Sequence, residues 1–264
     1  MNKSIWIVVS LGIVLVFALA ISCSDSDDSD GEGDGQTGDN ACSEGSISFT
    51  GSYECLPEDL ELPDIIEVER EELGITQDID TEDYVKGVLY HEMGPSFPFE
   101  ALKAQAVAIR SYAIRWMMQR DDPICDSTMC QVYGDERDDT TDAAVDETKG
   151  VVVIFDGQVA ETVYHASSGG FTEDVEDVWG SDYASYLKGV FCMENAHCTN
   201  DCGECPDEGD GVCDTDSSEC CWGRSGHGVG LSQRGAQAMA ECGFDHQEIL
   251  SHYYSDVTLA EDCG

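Results

Sequence analysis

The sequence predicts an α+β fold, because helical and strand-like patterns occupy separate blocks of the chain. Two observations carry this. Residues 81–93 and 98–120 repeat apolar positions at helical spacing. Val151–Phe155 and Val159–His165 are β-rich runs on either side of Asp156-Gly157, the pattern of a hairpin.

In the first helix Thr81 stands at the cap, with Glu82 and Asp83 in the first turn, where the helix dipole favours carboxylates. Val85, Val88, Leu89 and Glu92 form its stripe, and Gly94-Pro95 stops it. The second helix starts at Pro98 and carries Leu102, Ala106, Ile109, Ala113 and Met117. Its alanines predict close packing against a neighbour. Residues 121–148 read as an acidic loop, and Ser167-Ser168-Gly169-Gly170 breaks the hairpin. Helices follow at about Ser232–Glu241 and, after Gly243 and a capping box of Asp245 with Glu248, up to Tyr254. Residues 46–78 read as a short leader, in which Cys42 and Cys55 are placed to pair with each other.

Upstream, Lys3 and an apolar run from Ile5 to Ile21 precede Ser22-Cys23, the order of an export signal. Ala20-Ile21-Ser22-Cys23 resembles a bacterial lipobox, which makes Cys23 a lipidation candidate. An uncleaved membrane anchor and an ordinary cleaved signal are the alternatives. Each puts the remainder outside the cytosol. Residues 24–45 are acidic and almost without apolar side chains, so they read as a disordered linker. As a flexible coil such a linker reaches about 25 Å.

The net charge of −43, from 55 acidic and 12 basic residues, excludes nucleic acid as a partner. It also confines membrane contact to the N-terminal anchor. There are 14 cysteines, and in an oxidising compartment they predict disulfides. Seven of them fall in an acidic insertion at 191–221, read as a disulfide-stapled loop. Within it Asp207, Asp210, Asp214 and Asp216 lie among glycines. They offer oxygen ligands that suit calcium, with a solvated acidic loop as the plainer alternative.

Glu92 is the most informative residue. It continues an apolar stripe, where burial raises a carboxyl pKa and prepares a general acid. The alternative is a helix-end carboxylate turned to solvent. Lys103 and Arg110 lie seven residues apart on one helix face, where two cations can bind an anion or hold Glu92. His91-Glu92 is not a zinc-protease motif, since Pro95 stands where the second His belongs. Gly226, Gly228 and Gly230 lack the Lys-Ser/Thr of a phosphate loop. They read as close backbone approach, with His227 beside a cleft or in a structural role.

Several segments in order resemble one family. They are Asp83–Val88, Glu92-Met93, Glu100–Ala113, Cys130–Tyr133, Thr148–Gly150, His165–Gly170, Val178–Gly180, Tyr186–Val190 and Gly226–Gln233. The set resembles the SpoIID/LytB domain, over about residues 79–259, leaving 260–264 as a tail. The resemblance implies a SpoIID-like single domain of helices packed around small β-sheets, forming a glycan-binding cleft. It implies action on peptidoglycan, in one of two ways. The protein is a lytic transglycosylase that cuts MurNAc–GlcNAc linkages of peptide-free strands with a 1,6-anhydro product, or a non-catalytic enhancer of a partner amidase. A third reading is a calcium-dependent envelope interaction protein.

Glu92 matches the family's catalytic acid, and Arg110 is the second catalytic candidate. Arg110, Lys103, Tyr186 and Lys188 match cleft positions, where Arg110 or Lys103 would engage the lactyl carboxylate and stabilise developing charge; Ser167, Ser168, His227 and Gln233 lie in matching motifs as substrate-binding candidates. No second carboxylate is expected near Glu92. Some members bind zinc around the segment matching Cys125–Cys130. Here Met129 stands where that pattern has His, so the zinc site is not expected and a Cys125–Cys130 disulfide is preferred. No cofactor is otherwise implied.

Overall fold

The computed structural model describes residues 52–193 and 224–264. The anchor with Cys23, the linker, Cys42 and the calcium candidates Asp207, Asp210, Asp214 and Asp216 lie outside them.

The elements run β1 (Glu54–Cys55), β2 (Ile65–Arg70), β3 (Ile75–Asp80), α1 (Thr81–Glu92), α2 (Phe99–Gln119), β4 (Ile124–Cys125) and α3 (Asp139–Glu147). They continue with β5 (Val152–Phe155), β6 (Gln158–Val159), β7 (Tyr164–His165), α4 (Val175–Trp179), β8 (Leu231–Ser232), α5 (Gln233–Glu241), α6 (His246–Tyr253) and β9 (Thr258–Glu261). This is the expected α+β class, with small sheets around helices.

The core forms around α2, which packs against α1, α3, α5, α6 and β5. Its alanines explain this. Ala101, Ala104, Ala106, Ala108 and Ala113 are all buried, so neighbours approach on several sides. Leu102 and Ile109 fill the space between them, each burial contributing about 1.5–3 kcal/mol. Two α2 groups also satisfy neighbouring backbone. Ser111 Oγ accepts from Val153 N–H (2.9 Å), and the Ala108 carbonyl accepts from Thr162 Oγ1 (2.7 Å).

The α1 cap is Asp80 rather than Thr81. Its carboxylate accepts from the backbone N–H groups of Glu82 (3.0 Å) and Asp83 (3.3 Å), two donors otherwise unpaired at the helix start. Just past Glu92 the chain turns at Gly94, whose φ of 71° suits glycine. At the other end, Asp245 and Glu248 form the expected capping box.

Further readings are corrected. The leader contains a regular hairpin: β2 pairs antiparallel with β3 from Ile65↔Asp80 to Arg70↔Ile75. β2 alternates buried and exposed residues, but β3 is mostly exposed, so its strand is dictated by pairing rather than by its own pattern. Cys55 pairs with Cys263, not Cys42. Together with β1 beside β9, that makes the C-terminal tail part of the fold. Finally, α3 lies inside the segment read as loop. Asp138 caps it and Thr141, Ala144 and Val145 are its buried face.

The hairpin around Asp156-Gly157 is present but shorter than its run. β5 pairs with β6, whereas Tyr164-His165 leaves it to pair in parallel with Leu231-Ser232. This switch positions the site. It needs glycine at 230, where φ is 73° and an added Cβ would sit 2.2 Å from the Val163 carbonyl oxygen.

Candidate functional site around Glu92

Glu92 is the last residue of α1, and its carboxyl lies in the wall of a pocket of about 400 Å³. Val132 N–H donates to Oε1 (3.2 Å) and Gln233 Nε2 donates to Oε2 (3.3 Å). The Tyr164 hydroxyl also bonds it. Behind this runs a buried relay: Tyr84 hydroxyl donates to Gln131 Oε1 (3.0 Å), and Gln131 Nε2 donates to the Tyr164 oxygen (3.1 Å). Both tyrosines have pKa values raised well above the ordinary phenol, chiefly by burial, so they remain donors.

Burial raises the Glu92 pKa, outweighing the opposing bonds from Val132, Gln233 and Tyr164. Its carboxyl therefore keeps a proton to higher pH than a solvated glutamate.

The pocket holds two histidines. Val229 N–H donates to His227 Nδ1 (3.0 Å), and the ring also bonds the Tyr164 backbone. His165 bonds the Val229 carbonyl through Nδ1 (3.1 Å), which fixes the Nδ1–H tautomer. Its Nε2 is buried and without a partner among the described residues. Burial is the first cause of a His165 pKa lowered to about 4, so its imidazole is neutral near pH 7.

Of the other expected site residues, Gln233 and His227 are in the pocket wall and the rest are not. Arg110 is fully buried, in a two-pronged pair with Glu82: Nε to Oε1 at 2.9 Å and Nη2 to Oε2 at 2.6 Å. It also donates to the Val151 carbonyl (3.1 Å). Lys103 pairs with Glu100 (3.0 Å) and Glu147 (3.6 Å). Ser167 and Ser168 are buried. Lys188 stands 4.0 Å from Asp182.

Tyr186 acts one step back. Its hydroxyl accepts from Glu161 N–H (2.7 Å) and donates to the Glu161 carbonyl (3.3 Å). Glu161 itself lines the pocket, so a second carboxylate stands where none was expected. The signal was there: Glu161 is the single carboxylate in the run Val159–His165, and its neighbours Val159, Ala160, Thr162 and Val163 are all buried. Trp179 and Tyr183 also line the pocket and are 42% and 53% exposed. Cys125 and Cys130 form the preferred disulfide, with Cys130 in the wall.

The model of the SpoIID family, described as stage II sporulation protein, matches residues 69–155. An uncharacterized protein of Brachyspira hyodysenteriae is 31% identical over 252 residues, covering 71% of this chain and 68% of its own. The amidase enhancer of Bacillus subtilis is 41% identical over 98 residues, 37% of this chain. Stage II sporulation protein D of the same organism is 33% identical over 135 residues, 43% of this chain.

The chain belongs to the SpoIID/LytB family. The matched region holds Glu92 and its Val132 donor, and ends with β5. His165, His227 and Gln233 of this SpoIID/LytB chain come from beyond it, so the pocket joins the family-matched segment to residues that follow it. The matches span 14% of the amidase enhancer and 39% of the Bacillus subtilis sporulation protein.

Proposed function

We propose that this protein is exported, is tethered by its N-terminus, and binds peptidoglycan glycan in the Glu92 pocket as a non-catalytic enhancer of a partner amidase. The observation that carries the reading is the 41% identity with an amidase enhancer. The geometry agrees with it. Arg110 and Lys103, the cations expected to steady charge during cleavage, are held in ion pairs elsewhere, and among the described residues no Lys or Arg lines the pocket.

A second reading, lytic transglycosylase, is favoured by one specific observation, the buried carboxyl of Glu92 with its raised pKa. In this reading protonated Glu92 donates to the oxygen joining muramic acid to glucosamine. The resulting carboxylate takes the proton from the muramic C6 hydroxyl as its oxygen attacks C1, which closes the 1,6-anhydro ring and restores the acid. The nucleophile is internal, unlike the two-carboxylate hydrolase scheme.

One experiment separates the two. Peptide-free wall glycan is incubated with wild type and Glu92→Gln and assayed for anhydro-muramic ends; in parallel, amidase rate on intact wall is measured with each. Stimulation by both proteins without anhydro ends supports the enhancer. Anhydro ends from wild type alone support the transglycosylase. Neither activity, with no binding to wall, refutes both.

A further inference from the structure

Glu161 is half-buried in the same pocket as Glu92, and no hydrogen-bond partner holds its carboxylate among the described residues. Its backbone, by contrast, is clamped on both polar sides by the Tyr186 hydroxyl. A carboxylate whose base is fixed and whose oxygens are unused is prepared to accept bonds from something in the pocket. Burial raises its pKa, against the more distant Arg120 and Arg115. Neither arginine lines the pocket: Arg120 stacks over Trp116 (3.7 Å to the ring centroid) and Arg115 donates to Gln158 (2.8 Å).

Among the described residues the wall therefore combines two carboxyl groups and neutral imidazoles with no permanent cation. Trp179 and Tyr183 add exposed aromatic faces, 6.4 Å apart between centroids, against which the apolar face of a sugar ring can lie. Such a site suits a ligand rich in hydrogen-bond donors and without negative charge.

We infer that Glu161 sets the charge specificity of this pocket: it accepts hydrogen bonds from the hydroxyl and amide groups of an uncharged sugar ring and disfavours a ring bearing a carboxylate. This rests on the reading above that the pocket takes glycan. A muramic acid ring, with its lactyl carboxylate, then lies outside the Glu161 wall, and an N-acetylglucosamine ring lies against it.

The test uses a neutral N-acetylglucosamine tetramer and the same tetramer oxidised to carboxylates at C6, with affinities measured by calorimetry. At 0.15 M salt, wild type is expected to bind the neutral tetramer about tenfold more tightly, and Glu161→Gln to reduce that ratio to roughly two- to threefold. Glu67→Gln, an exposed change on β2, controls for the field of a chain of net charge −43 and is expected to leave the ratio unchanged. Raising salt with wild type should tighten the oxidised tetramer, a readout that needs no variant. A ratio near one in wild type, or a Glu161→Gln ratio no lower than that of Glu67→Gln, overturns the inference and leaves the glycan reading standing. If neither tetramer binds wild type while wall glycan does, the inference alone falls. If no glycan of any kind binds, both fall.

Discussion

The pair of Arg110 with Glu82 is the sharpest test of how the structure divides structural from functional charges. Arg110 is 0% and Glu82 17% exposed at the side chain, and Glu82 Oε1 also accepts from Gly150 N–H (3.1 Å). Glu82→Ala leaves a guanidinium in the core with only carbonyl partners. Removing one member of a buried pair costs about 3–5 kcal/mol, because the remaining charge is uncompensated. For a folded unit of this size that lowers the melting temperature by roughly 6–20 °C. Arg110→Met should cost a similar amount. The double variant should recover much of either loss, since it buries no unpaired charge. Urea unfolding with disulfides intact reads all three. Single variants that lose less than about 1 kcal/mol, or an Arg110→Met protein of normal stability that has lost wall binding, would sink this argument and return Arg110 to the cleft.

Three further outcomes follow from the same physics. Glu92 has its folded pKa raised by burial, so its contribution is present below the unfolded value and lost as pH rises through the folded one. Glu92→Gln should thus gain stability relative to wild type as pH rises from 4, levelling off above the raised pKa; a flat difference across paired urea titrations would contradict this. His165 has the opposite sign of proton linkage: lowered from 6.5 to about 4, it costs stability as pH falls through that window, roughly 3 kcal/mol in full. His165→Phe should lessen the acid loss, which unfolding at pH 7 and pH 4 will show. Replacing Cys55 and Cys263 by Ser opens a closure between residues 208 apart and should cost about 2–5 kcal/mol by thermal melting.

Local rules made some elements legible. The stripe Val85, Val88, Leu89 fixed α1, and Asp245 with Glu248 fixed the start of α6, because caps and periodicity act within a few residues. Glu92 stood out for the same reason, a carboxyl at the end of a buried stripe. β3 was hidden, since its residues are mostly exposed and its strand exists only through its register with β2. α3 was hidden by its brevity and acidity, with only a few inward residues to betray it.

Charge was the hardest property to read. Lys103 and Arg110 share a helix face, and nothing in that spacing says whether the face meets a cleft or a core. The answer came from Glu82, Glu100 and Glu147, each supplied from elsewhere in the fold. Glu161 shows the converse: it stands in the segment just before Tyr164-His165, and only the pairing of those two residues with Leu231-Ser232 brought that segment and Gly226 around one pocket.

Short-range pattern and ordered motifs in the chain were enough for the α+β class, the helix bearing Glu92 and the resemblance to a family. Tertiary structure alone decided which charges are neutralised in the interior and which carboxylates face a shared cavity. Those depend on contacts such as Glu92 with Gln233, 141 residues apart, whose energy is set by burial and geometry and leaves no local trace.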